Sequence, residues 1–103
     1  PAMISEFDMT NLEKEFLEGY KAPFVKSSLI KLGCKFLNQY EIIENNTLLI
    51  VAEINDIFFS ENIIQEDGWL NLDLAKSVTV NGLDGYSLPK LVERFKYAKR
   101  KNE

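Results

Sequence analysis

Ile30-Lys31-Leu32-Gly33-Cys34-Lys35-Phe36-Leu37-Asn38-Gln39-Tyr40-Glu41-Ile42 is followed, after Ile43-Glu44-Asn45-Asn46-Thr47, by Leu48-Leu49-Ile50-Val51-Ala52. In the first run Ile30, Leu32, Cys34, Phe36, Tyr40 and Ile42 share one parity, and Lys31, Lys35, Gln39 and Glu41 the other. That period of two predicts a strand with one wet face. At ~3.3 Å per residue it extends about 40 Å, long enough that a bulge near Leu37-Asn38 and barrel-like coiling are expected. Cys34, set among alternating apolar residues, reads as a buried small hydrophobe rather than a reactive thiol. Glu44-Asn45-Asn46-Thr47 supplies a turn. Leu48 to Ala52 is apolar on both faces, so the returning strand needs cover on both sides, and Ile57, Phe58 and Phe59 extend that need. In a chain of 103 residues, a partner subunit is the expected source of the second cover.

Outward from this hairpin, Thr10-Asn11-Leu12-Glu13 has the form of a capping box. With Met9, Leu12, Phe16, Leu17 and Tyr20 at helical spacing and Gly19 as a stop, it predicts a short N-terminal helix. Ala22-Pro23 forces an extended connector. On the other side, Glu66-Asp67-Gly68 reads as a turn, and Asn71 as the cap of a short helical turn among Leu70, Leu72 and Leu74. Val78-Thr79-Val80 is a brief strand, Asn81-Gly82 and Asp84-Gly85 are tight turns, and Leu91 to Tyr97 alternates as a last strand.

Composition bounds the function. With 46% hydrophobic and 12% aromatic residues, residues 1–103 hold enough apolar material for a single domain with one small core. No apolar run approaches the ~18 residues of a membrane span. Pro1-Ala2-Met3 lacks the basic and apolar regions of a signal peptide, and Pro1-Ala2 reads as residues added before a start methionine. A soluble cytoplasmic protein is the expectation. Net charge is −4, unevenly spread: eight carboxylates and no Lys or Arg lie from Glu41 to Asp73, whereas Lys90 to Glu103 carries six basic residues against two acidic ones. A phosphate patch is one reading of that basic end, and a solvated, solubilising end the commoner one. The acidic balance and the lack of zinc-knuckle or basic-aromatic motifs argue against nucleic acid as a partner.

There is no histidine, so serine-histidine and cysteine-histidine nucleophile pairs and histidine-ligated zinc or haem are impossible within the chain. The single cysteine excludes an internal disulfide and a two-cysteine metal motif. No metal is expected. Gly82-Leu83-Asp84-Gly85 lacks the third glycine of a dinucleotide fingerprint and the lysine of a P-loop. Glu66 and Asp67 offer an acid-base pair or a hard-cation site in principle, but without alternating acids they form no calcium loop.

Gly82-Leu83-Asp84-Gly85-Tyr86, then Leu88-Pro89-Lys90-Leu91 and Arg94-Phe95-Lys96-Tyr97-Ala98-Lys99, resembles the C-terminal signature of the flavin reductase-like, FMN-binding split-barrel proteins. Ser5-Glu6-Phe7-Asp8, Lys21-Ala22-Pro23, Gly33-Cys34-Lys35-Phe36, Leu48 to Ile54, Glu66-Asp67-Gly68 and Asn71-Leu72-Asp73 follow the order of that family, so the resemblance runs from about Ser5 to Lys99. It implies a partial split β-barrel, mainly β with a short N-terminal helix and dimeric. In the family a preceding stretch of strands supplies most flavin contacts, and nothing like it is present here. The chain therefore looks like the C-terminal portion of such a domain: a truncated reading frame starting at Met3, a proteolytic fragment, or one piece of a split protein.

The chemistry the resemblance implies belongs to the cofactors: NAD(P)H gives a hydride to N5 of a flavin, FMN or FAD, while the protein binds and aligns. Carried over by residue, Tyr86 stacks on a ring, Gly82 permits close backbone approach and Asp84 orients the loop. The plainer reading is that Tyr86 is a core or dimer aromatic and the glycines only turn the chain. Lys90 and Arg94 are phosphate candidates, with exposed strand charges as the better reading. No catalytic residue is singled out. The competing function is a non-catalytic β-rich dimerisation or binding module without flavin.

Overall fold

The structure, a computed structural model, describes residues 5–98. The alternating run becomes β3 (Ile30–Ile42), and the apolar run that follows becomes part of β4 (Thr47–Phe59). The two pair antiparallel along their whole length, from Ile30↔Phe59 to Ile42↔Thr47. Between them Asn46 takes the left-handed conformation (φ 53°), which an asparagine tolerates, and its N–H donates to the Ile43 carbonyl. Ahead of the ribbon lie β1 (Lys14–Glu15) and β2 (Phe24–Val25), and after it β5 (Thr79–Asn81) and β6 (Gly85–Ser87). Among the described residues there are three antiparallel pairs, β1-β2, β3-β4 and β5-β6, each a two-stranded open sheet. They divide between Glu61 and Asn62 into two compact units, the first with β1 to β4 and the second with β5 and β6.

Register decides which residues share a face. Phe36 pairs with Ala52 and Asn38 with Val51, so Leu37 is an extra residue on β3, at the expected bulge. A second irregularity lies between Gly33↔Asp56 and Cys34↔Ile54. A one-residue slip sends every later side chain to the opposite face. Past Leu37, Tyr40 and Ile42 therefore leave the face of Cys34 and Phe36 and join that of Lys35 and Glu53. The single parity expected from Ile30 to Ile42 holds only up to the bulge.

One face of the ribbon's first half carries Lys31, Gly33, Lys35, Phe58, Asp56 and Glu53, and here the first unit closes on itself. Tyr20, Phe24 and Phe58 form a triangle of edge-to-face rings, with centroids 5.5–6.2 Å apart. The Tyr20 hydroxyl donates to the Asp56 carboxylate, and its ring occupies the space a side chain at Gly33 would need. Lys31 reaches the Glu15 carboxylate at 2.7 Å and the Lys26 carbonyl at 3.1 Å. The opposite face, with Leu32, Cys34, Phe36, Ile54 and Ile57, is exposed. Cys34 is thus not the buried hydrophobe expected from its parity: it lies on the apolar face, but no part of the described chain covers that face.

The short N-terminal helix does not form. Residues 5–10 make turns closed by Asp8 N–H to Ser5 and Met9 N–H to Glu6. The Thr10 hydroxyl accepts from Leu12 N–H rather than capping a helix through Glu13, and Met9, Leu12 and Phe16 stay exposed. An isolated helix this short is marginal, and pairing of Lys14↔Val25 and Glu15↔Phe24, flanked by the Glu13–Lys26 and Glu15–Lys31 ion pairs, takes its place. In the second unit Ile63 and Ala75 are the buried apolar residues. Around them Gly68 (φ 87°) closes the expected turn on the Gln65 carbonyl, and Asn71 Oδ1 accepts from the N–H groups of Asp73 and Leu74 as the expected cap. Leu91 to Tyr97 is not a strand: it pairs with no other segment among the described residues, and alternation without a partner edge makes no sheet. Lys99 to Glu103, which complete the basic end, and Pro1 to Ile4 lie outside the described residues.

Candidate functional site

The residues singled out by resemblance come together on one hairpin. β5 and β6 pair through Thr79↔Ser87, Val80↔Tyr86 and Asn81↔Gly85, leaving Gly82-Leu83-Asp84 as the loop. Gly82 has φ 69°, a conformation a Cβ penalises. Gly85 is required for another reason: a Cβ there would sit 2.8 Å from the Asn81 carbonyl oxygen. Asn81 Nδ2 donates to Ser87 Oγ at 2.9 Å and ties the two strands across their side chains. The two glycines thus let the hairpin turn.

Tyr86 is not a core aromatic in this chain. Its side chain stands 72% exposed beside the loop, and Leu83 at the apex is 99% exposed. Asp84 is exposed as well, so the hairpin presents a surface with one free aromatic face, several backbone groups and one carboxylate. These groups fit contact with a flat heteroaromatic ring. They do not fit a phosphate, which requires convergent N–H groups or cations. Lys90, the nearest cation in sequence, is exposed. Arg94 is engaged elsewhere: its guanidinium lies 4.1 Å from the Trp69 ring centroid and bonds Asp67 at 2.8 Å. That hydrogen bond, helped by the Trp69 N–H, holds the Asp67 carboxyl below its ordinary range. Neither the phosphate reading of Arg94 nor the acid-base reading of Asp67 fits this pairing, because each neutralises the other.

Sequence reasoning missed the partnership of Trp69 with Arg94, separated along the chain and without a local pattern to announce it. It missed Tyr20 for the same reason. That hydroxyl is pushed up to about 12, first by its bond to Asp56 and then by desolvation, which leaves it a stable donor rather than a base. In the first unit a cleft of about 260 Å³ is lined by Lys26, Ser28, Lys31, Phe58 and Ser60. Its two lysines are held by Glu13 and Glu15. No group of three or more metal-ligating side chains occurs among the described residues, and no helix there is long and apolar enough to cross a membrane.

No protein-family model and no curated protein matches the chain. Among solved structures it is similar to a protein of Shewanella frigidimarina NCIMB 400 described as a "putative flavin reductase with split barrel domain". Identity is 35% and the TM-score 0.86, over 92% of this chain and 48% of that one. The chain therefore spans about half the length of that neighbour. With open, mainly β sheets and this likeness over nearly all its residues, the chain has the fold of part of a flavin reductase-like split-barrel protein, the family that the residues from Ser5 to Lys99 resemble.

Proposed function

We propose that the chain is the C-terminal part, residues 1–103 acting as a single domain, of an FMN-binding flavin reductase-like oxidoreductase. The carrying observation is the likeness, at 35% identity and TM-score 0.86, to about half of a protein described as a "putative flavin reductase with split barrel domain". In this reading the flavin, FMN or FAD, accepts a hydride from NAD(P)H, and the protein's task is binding and alignment in the cytoplasm. Tyr86 contacts a ring of the cofactor, Gly82 lets the backbone come close, and Asp84 orients the loop. The exposed apolar face of Leu32, Phe36, Ile54 and Ile57 supports a homodimer, since burying such a face is the main drive for association.

The second reading, a non-catalytic β-rich binding module, is favoured by one observation: the hairpin presents no groups to hold a phosphate. Titration of FMN into the 103-residue chain separates the two. We expect weak binding or none, because a screened attraction to Lys90 does not align a ligand. Micromolar affinity, weakened on Tyr86→Ala, would place the flavin site within these residues; no binding even beside the remaining part of a split-barrel domain would leave the binding module.

A further inference from the structure

In the second unit, apart from the β5–β6 hairpin, the turn from Gln65 to Trp69 holds a guanidinium. Two backbone hydrogen bonds close this turn, from Gln65 N–H to the Trp69 carbonyl at 2.8 Å and from Gly68 N–H to the Gln65 carbonyl at 2.9 Å, and Ile64 bridges to Leu70 just beyond them. Within the turn the Trp69 N–H donates to Asp67 Oδ1 at 3.2 Å, which orients the carboxylate and leaves Oδ2 to accept from elsewhere. Arg94 supplies that donor at 2.8 Å, with its guanidinium 4.1 Å from the centroid of the half-buried Trp69 ring. None of the bonds that close the turn involves Arg94, so the clamp of ring face and carboxylate is built without it.

The segment that delivers Arg94 is lightly held. Leu88, Val92, Phe95 and Tyr97 stay exposed, and a second anchor is the Leu91 N–H donating to the Asp73 carboxylate. The Arg94–Asp67 pair is itself open to water, with side chains 42% and 58% exposed, and ion pairs in that setting contribute little and exchange readily. Lys90 and Lys96 lie on the same segment, yet among the described residues neither forms an ion pair. A flat guanidinium covers an indole face and reaches a carboxylate edge at once, which a compact ammonium does not.

We propose that the Gln65–Trp69 turn is a binding site for a guanidinium-bearing ligand, and that Arg94 is its exchangeable built-in occupant, so that such a ligand releases residues 88–98 as a strap. The inference uses no flavin chemistry, so its failure and that of the flavin reading are separable.

The test uses methylguanidinium on the full 103-residue chain, with methylammonium at equal ionic strength as the control. Trp69 is the only tryptophan, so its fluorescence reports on the clamp directly. In Arg94→Ala the clamp is open, and a saturable change in emission is expected with methylguanidinium and not with methylammonium. The wild type should need about threefold or more of the ligand for the same response, because a tethered Arg94 competes at high effective concentration. Adding Asp67→Asn to Arg94→Ala should abolish the response. Displacement is read on the unsubstituted chain, where folding is undisturbed. Chymotryptic cleavage after Phe95 should accelerate about threefold or more as the strap is released, while cleavage after Tyr40, in the first unit, keeps its rate. A blocked Gly-Arg-Gly peptide in the same assays separates two sources of the group: tighter binding than methylguanidinium assigns the site to an arginine of a polypeptide, equal binding to a small guanidino compound. An open clamp without a saturable response overturns the proposal, as do equal responses to the two cations or a response that survives Asp67→Asn. Unchanged cleavage after Phe95 at saturating methylguanidinium overturns the release of the strap.

Discussion

The two halves of the β3–β4 ribbon share one sheet and similar apolar content and differ in register by the extra residue Leu37, yet among the described residues only the base packs against another segment. At the base, Lys31, Gly33, Phe58 and Asp56 meet Glu15, Tyr20 and Phe24 on one face. At the tip, Leu49, Val51 and Tyr40 on the continuation of that face stand exposed. The difference lies in what each half can accept. Gly33 leaves room for a ring, Asp56 offers it an acceptor and Lys31 offers a cation; beyond the bulge the same face turns wholly apolar except for Asn38 and Thr47. Specific polar partners dock a short local segment, while apolar area needs broad cover. Substitutions at the base should therefore change the stability of this chain, and those at the tip should change only its associations.

Gly33→Ala is expected to have the largest effect. Its Cβ would overlap the Tyr20 ring, so the ring must swing away, losing the Asp56 bond and its contacts with Phe24 and Phe58. A loss of ~1–3 kcal/mol in urea unfolding is expected, typical of overpacking that dismantles a cluster. An unchanged midpoint would mean that the base is no better held than the tip. Next comes Lys31→Met, which removes a cation whose side chain is 14% exposed and leaves Glu15 and the Lys26 carbonyl without their donor. The expected cost is about 1 kcal/mol, larger than for an exposed ion pair, with reduced dependence on salt.

The same base carries a pH dependence. Tyr20 is protonated in the folded chain and its hydroxyl is pushed up to about 12, above its ordinary value near 10. The protonated form is the one the fold favours, so this contribution is intact below about pH 10 and is lost as pH rises toward 12. A stability profile by fluorescence should fall in that window for the wild type. In Tyr20→Phe that part of the fall should vanish; a fall of the same size in the variant would detach the hydroxyl from the stability of the base.

The sequence carried the long-range plan of the ribbon because its signals are local: period two from Ile30, an Asn-rich turn at Asn45-Asn46, and five apolar residues after it. The bulge was legible as a length argument, but its consequence was not, since only the partner's register shows that Tyr40 and Ile42 change face. The N-terminal helix was misread because a capping box reports what Thr10 and Glu13 can do for a helix, not that Glu15 pairs with Phe24 or meets Lys31. Burial of Cys34 was misread for a related reason: alternation names the apolar face and says nothing of what covers it. At the hairpin, Gly82 and Gly85 were legible as turns, whereas the engagement of Arg94 by Trp69 and Asp67 depends on tertiary proximity.

The smallest energetic effect is expected at Cys34, where kinetics tell the faces apart better than stability. Cys34 belongs to the base, but to its uncovered face, so the comparison between base and tip predicts stability for its neighbours and openness for its thiol. Native labelling by a neutral thiol reagent should proceed within about tenfold of the rate in denaturant, because exposure and not global unfolding limits access. Cys34→Ser should shift the unfolding free energy by less than ~0.5 kcal/mol, as for surface positions. Labelling slowed a thousandfold in the native chain, with the slowing lifted on dilution, would show a second copy seated on Leu32, Phe36, Ile54 and Ile57. The contrast between the halves would then be sharpened rather than lost, with the base closed on one face by its own chain and on the other by its twin, and the tip alone left open.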